Sequence, residues 1–167
     1  MSQTKAELLD PLNGVVSSGD IKINDVSVGK GANSVAGNTV LGESALDAVT
    51  SGGNNTAIGN SALTDNTSGS SNVAIGVNAL QDNTTGSNNV AIGHGSLRLA
   101  ETAINNTAVG RAVMNVTTGG NNTGVGHQAL NLNTTGYDNV AVGSLTLDVN
   151  TTGFGNTGLG RGVLGAN

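Results

Sequence analysis

Two histidines, His94 and His127, are the side chains best suited to hold a metal ion or move a proton, because neutral imidazole is a metal ligand and titrates near physiological pH. Each directly follows a glycine, Gly93 or Gly126, and shares that place with Glu43, Arg111 and Arg161. They fall two repeat units apart, roughly 10 Å at the spacing of stacked strands and too far to share one ion. The position reads as a solvated face, with no metal site. Gly29-Lys30-Gly31 has the residue types of a phosphate loop, but the full spacing is missing and no helix N-terminus follows. Acids and histidines are sparse and sit at repeated positions, so no Ser/His/Asp set can be assembled. No catalytic residue and no cofactor are expected, and the chain reads as a non-enzyme.

Three other groups have chemistry to offer. Asn66, Asn83, Asn133 and Asn150 each open an Asn-x-Thr/Ser sequon, but a turn that favours Asn beside Thr produces the same pattern, so glycosylation is not implied. The pairs Thr84-Thr85, Thr117-Thr118, Thr134-Thr135 and Thr151-Thr152 would stack into a threonine edge, which raises ice binding; adjacent residues of an extended chain point opposite ways, which argues against a two-rank array. Tyr137 and Phe154 occupy one column, two residues before Asn139 and Asn156, and form the only aromatic pair in the chain. Exposed aromatics beside polar turns suit a receptor or partner protein; the alternative is that they plug one end of the fold.

What must position these residues is a repeat. Gly42, Gly59, Gly76, Gly93, Gly110, Gly126, Gly143 and Gly160 are separated by 17 residues, with one interval of 16. Four residues before each stands an asparagine, from Asn38 to Asn156, and four residues after each stands Leu or Met, from Leu46 to Leu164. Between Asn and Gly runs a short strand, Asn-[Thr/Val]-[Ala/Val/Gly]-[Ile/Val/Leu]-Gly. The larger residues are expected to fill the coil: Ile58, Ile75, Ile92, Val109, Val125 and Val142 from the strands, and Leu63, Leu80 and Leu130 from beyond them. The intervening small column, Ala57, Ala74, Ala91, Ala108 and Ala141, reads as the place where another backbone approaches closely, as at a trimer interface or a tight turn.

Segments such as Asn83-Thr84-Thr85-Gly86 are turns that need positive φ and side-chain-to-backbone bonds. Gly52, Gly69, Gly86, Gly119, Gly136 and Gly153 hold the turn position, and Ala103 breaks the pattern. The missing residue of the 16-residue interval falls in this turn, between Met114 and Gly119. Upstream, Gly29 and Gly42 are 13 apart, which predicts a shorter first turn, and residues 21–24 read as an edge strand.

With 27 Gly, one Phe, one Tyr and no Trp, the chain has no ordinary globular core, and a low charge content with a net charge of −5 excludes phosphate-backbone binding. Helix is excluded by Gly, Asn and Thr content without a 3.6-residue apolar stripe. The expected fold is all-β: a parallel β-solenoid of about 17-residue turns, stacked at roughly 4.8 Å into a rod ~40 Å long. Its thin core predicts several chains sharing one. Residues 1–20 read as an N-terminal attachment or cap segment, with a brief helix at 4–10 ended by Pro11, and residues 21–167 as the repeat domain. No apolar signal core opens the chain and no apolar run could span a bilayer, so neither export by signal peptide nor membrane insertion is expected.

The units Asn72-Val-Ala-Ile-Gly76 and Asn89-Val-Ala-Ile-Gly93, with residues 27–37, resemble the left-handed parallel β-roll of YadA-like trimeric autotransporter heads. The longer unit with Asn-Thr-Thr-Gly is similar to repeats of bacteriophage tail-fibre and other virion proteins. The resemblance covers about residues 25–167 and implies a homotrimer of three rolls around an axis. It implies a virion structural protein, a short fibre or spike assembled in the host cytoplasm, bound to other virion proteins through residues 1–20 and to a host surface receptor by the roll. The alternatives are the head of a bacterial trimeric adhesin on the cell surface and an ice-binding solenoid. The expectation that neither a signal peptide nor a membrane-barrel segment belongs to the chain favours the virion.

Overall fold

A strand of three residues between Asn and Gly is too short to be stable alone, so each must pair with its copies in the units before and after it. The computed structural model describes residues 21–165; the expected attachment segment over residues 1–20, including its helix at 4–10, lies outside them. The strands are β1 (Ile21–Ile23), β2 (Val26–Gly29), β3 (Thr39–Gly42), β4 (Thr56–Ile58), β5 (Val73–Ile75), β6 (Val90–Ile92), β7 (Thr107–Val109), β8 (Thr123–Val125), β9 (Val140–Val142) and β10 (Thr157–Leu159). They form one sheet in chain order. From β3 to β10 every neighbouring pair is parallel and in register, as in Thr56↔Val73, Ala57↔Ala74 and Ile58↔Ile75. The protein is an all-β parallel solenoid with one strand per 17-residue coil.

The first interval departs from the expectation of a shortened coil. β2 is antiparallel to both β1 and β3, with Val28 opposite Leu41. Thirteen residues are too few to go round the coil, and the chain reverses instead through Gly31 at φ 78°, Asn33 at 59°, Ser34 at 51° and Gly37 at 80°. β1 is the edge strand expected at residues 21–24, joined to β2 by Asn24 and Asp25, both at positive φ, the geometry of a tight hairpin. The 16-residue interval leaves β7 and β8 in register, Thr107 opposite Thr123, so the missing residue is absorbed in the turn as expected.

Each coil bends at repeated positive-φ residues. In one coil these are Gly59 at 129°, Ser61 at 54°, Leu63 at 53° and Ser71 at 60°. A left-handed Leu costs roughly 1–2 kcal/mol, which burying its side chain, worth about 1.5–3 kcal/mol, offsets. Leu46, Leu63, Leu80, Leu97, Met114, Leu130 and Leu147 are all fully buried.

The faces of the strands are the reverse of the expected ones. Ala57, Ala74, Ala91, Ala108 and Ala141 point into the coil and are fully buried, so they line the core and not a contact between chains. Ile58, Ile75, Val109, Val125 and Val142 point outward and are half-buried, while Ile92 is exposed. The cause is the asparagine. Asn55 and Asn72 must point inward to bond between coils, and a period of two then carries the Ala column in and the branched column out. Leu63, Leu80 and Leu130 occupy the interior.

Two coils trade volume between the strand centre and the residue 12 before it, or 11 across the deletion. Four others carry alanine at both places: Ala57 and Ala45, Ala74 and Ala62, Ala91 and Ala79, Ala141 and Ala129. Where the earlier residue is Val113 or Thr146, the strand has Gly124 or Gly158. A Cβ on Gly124 would meet Val113 Cγ1 at 2.6 Å, and one on Gly158 would meet Thr146 Cγ2 at 2.6 Å. Replacing Gly124 with Ala should therefore cost about 1–3 kcal/mol by overpacking. The double variant V113A/G124A restores the pair found in four other coils and should recover most of that loss, measured by urea unfolding of the singles and the double.

Candidate functional site

Everything on the surface is placed by hydrogen bonds that run from coil to coil. Asn55 Oδ1 accepts the N–H of Asn72 at 2.9 Å, and Asn55 Nδ2 donates to the carbonyl of Gly69 at 2.9 Å. The same two bonds recur from Asn38 to Asn139. A buried amide thus serves the backbone of the next coil at both its atoms.

The four sequon asparagines form a second internal column. Asn66, Asn83 and Asn133 are fully buried and Asn150 nearly so, and each donates Nδ2 to the turn carbonyl three residues on. Nδ2, the atom that glycosylation modifies, faces the core. This column also explains Ala103. A Cβ on Gly69, Gly86, Gly136 or Gly153 would collide with Oδ1 of the asparagine three residues earlier. In the one coil where Ala103 replaces that glycine, Ala100 replaces that asparagine. The exchange breaks the column: Asn83 Oδ1 and Thr117 Oγ1, on either side of Ala100, find no partner within the protein. Ala100→Asn alone should destabilise by collision with Ala103. Combined with Ala103→Gly it should reconnect both groups and raise stability by ~1–3 kcal/mol over the single variant, read by thermal unfolding.

His94 and His127 are exposed on the solvated column, with exposed Arg111 between them. Arg111 Nη1 lies 3.2 Å from His127 Nε2, and among the described residues no cluster could hold a metal ion. Gly29-Lys30-Gly31 leads into a three-residue 3-10 turn, Ala32–Ser34, and a Cβ on Gly31 would meet the Leu46 carbonyl at 2.7 Å, so this glycine serves close packing. One threonine in each of five turns bonds the next coil: Thr50, Thr67, Thr84, Thr118 and Thr134 donate their hydroxyls to its carbonyls at 2.8–3.1 Å. Thr85, Thr102, Thr135 and Thr152 form an exposed rank interrupted at the shortened turn, and Thr50, Thr118 and Thr151 beside it are also exposed.

Tyr137 and Phe154 stand on neighbouring coils with centroids 5.0 Å apart and ring planes 2° from parallel. The coil repeat of about 4.8 Å holds the two rings parallel, at a separation within the range of stacked aromatic pairs. At 44% and 63% exposure they lie outside the coil and plug nothing. Their column reads Gly53, Ser70, Ser87, Ile104, Gly120, Tyr137, Phe154; the column five residues before it, or four across the shortened turn, reads Ala48, Asp65, Asp82, Leu99, Val116, Leu132, Val149. Both turn from small or polar to largely apolar at the same coil. Ile104, Leu99 and Leu132 are exposed residues that the search for aromatics missed, although reading each column end to end would have found them.

On the polar half, burial pushes the Asp82 carboxyl above its ordinary range; Arg98 pulls it down, and Asp65 and Glu101 add to the rise. Protonated Asp82 is therefore the form the fold favours. Its contribution is full below the ordinary carboxylate range and is lost as pH rises through the shifted value. Asp82→Asn should raise the melting temperature at neutral pH, and the difference should vanish near pH ~3.

These features define a repeat solenoid with a stacked aromatic pair on one flank. Comparison with protein families, with curated proteins and with solved structures finds no match.

Proposed function

We propose that this protein is a virion structural component, a short trimeric fibre or spike of the bacteriophage type, held by its N-terminal segment and using the roll for host attachment. The observation that carries the reading is the outward column Leu41, Ile58, Ile75, Ile92, Val109, Val125, Val142 and Leu159, one branched apolar residue on each of eight stacked strands. Leu41, Ile92 and Leu159 are 45%, 37% and 76% exposed in the single chain. A continuous apolar strip of this kind marks an association surface. Three such strips around an axis give the trimer that the β-roll resemblance implies, with the branched column at the axis and not the alanines. The turns then point away from the axis, where the aromatic column would meet a host surface. A rod built from repeats, with its surface variation confined to turns, suits an appendage.

Sedimentation of the purified chain should give a mass three times 16.3 kDa. Ile75→Lys with Ile92→Lys should give monomers that retain the β-rich circular dichroism spectrum; a monomeric wild type at micromolar concentration sinks the trimer. Immunogold labelling of intact particles tests the virion assignment, and removing residues 1–20 should abolish incorporation while leaving the roll folded.

A further inference from the structure

We infer that the coil carrying Ala100 and Ala103 binds one internal water molecule, held by Asn83 Oδ1, the Ala103 carbonyl and Thr117 Oγ1. The site lies inside the coil, so it depends on neither the trimer nor host attachment. The turn carbonyls of Gly69, Gly86, Gly136 and Gly153 each accept two amides, one from the strand asparagine of the preceding coil and one from the asparagine three residues earlier. Among the described residues the Ala103 carbonyl accepts a single amide, Asn89 Nδ2 at 2.7 Å. Where the internal column is intact, the same amino group also serves the coil before it: Asn83 Nδ2 donates to Asn66 Oδ1 at 2.8 Å, and Asn150 Nδ2 to Asn133 Oδ1 at 2.9 Å. With alanine at position 100, Asn83 Oδ1 and the Ala103 carbonyl therefore face the place of one amino group.

Water matches that place in chemistry and in size. Like the amino group, it offers two hydrogens, and two acceptors face it. Its oxygen accepts in turn. Thr117, at the same column position on the next coil, is fully buried, and its hydroxyl has no partner within the protein. Three hydrogen bonds are the usual complement of a buried water. Relative to the asparagine and glycine of other coils, the Ala100 and Ala103 pair lacks Cγ, Oδ1 and Nδ2 and gains one methyl. That methyl stands on the side of the missing oxygen, because a Cβ at the turn position of Gly69, Gly86, Gly136 or Gly153 meets the asparagine Oδ1. The amino side is left for a molecule of one heavy atom. Three neutral oxygens do not repay the hydration that a cation would give up.

A crystal structure of the full chain, at a resolution that shows ordered water, should place a density peak about 2.7–3.2 Å from both Asn83 Oδ1 and the Ala103 carbonyl oxygen. No peak there overturns the site. A peak that scatters anomalously after a thallium soak assigns a cation and also overturns it. In solution, oxygen-17 magnetic relaxation dispersion counts long-lived internal waters. Ala100→Asn with Ala103→Gly supplies the amino group and should lower that count by about one per chain; an unchanged count overturns the proposal. Thr117→Val needs no rebuilt column and separates a water-bound hydroxyl from an unpartnered one. Loss of its bond to the water should lower the melting temperature and shorten the water's residence time at least ~tenfold. A melting temperature that rises, as removal of an unpartnered buried hydroxyl would cause, overturns the site with Thr117 as its third partner.

Discussion

One buried side chain sets the terms for the rest: the asparagine that opens each strand and bonds to the next coil through both ends of its amide, as Asn72 does to Asn89 and to Gly86. A coil this narrow cannot close its own backbone hydrogen bonds, so its polar groups must be met by the coils on either side. The amide does this from inside the coil and thereby fixes the strand's parity. Alanine follows inward, the branched residue outward, and leucine comes across from the opposite wall to fill what alanine leaves. The left-handed leucines follow from the same constraint, because only that backbone turns the wall inward within the length of one repeat.

The columns were legible because every coil solves the same problem with the same residues, so spacing alone placed strands, turns and the shortened turn. The faces were not. Size suggested that isoleucine belongs inside and alanine at a contact, but burial here is decided by the partner of the asparagine and not by the bulk of its neighbours. The antiparallel start was hidden for a similar reason: residues 25–42 carry the strand pattern, and only the count of 13 residues shows that the chain cannot complete a circuit. Ala103 looked like a lapse in the turn until its place beside Ala100 showed a coordinated exchange.

The surface divides into parts with different duties. The branched column of the outward strand face stays apolar in every coil. Around the turns the outward columns change character, from Asp65, Asp82, Ser70 and Ser87 to Leu99, Leu132, Ile104, Tyr137 and Phe154. Ser70 and Ser87 accept backbone N–H groups from the preceding coil, and the later coils carry no such hydroxyl at these positions. Identical coils build the rod, and the departures from identity mark the candidate binding surface.

The matched pairs Val113 with Gly124 and Thr146 with Gly158 also bear on how such a sequence changes over time. Starting from two alanines, enlarging the first drives a methyl into the strand, whereas shrinking the second leaves a void of about one methyl, the milder defect. Ala100 and Ala103 obey the same order, since the asparagine must leave before the glycine can gain a side chain. For coils of this kind loss before gain is the less costly order of change, and it runs through a slightly hollow coil.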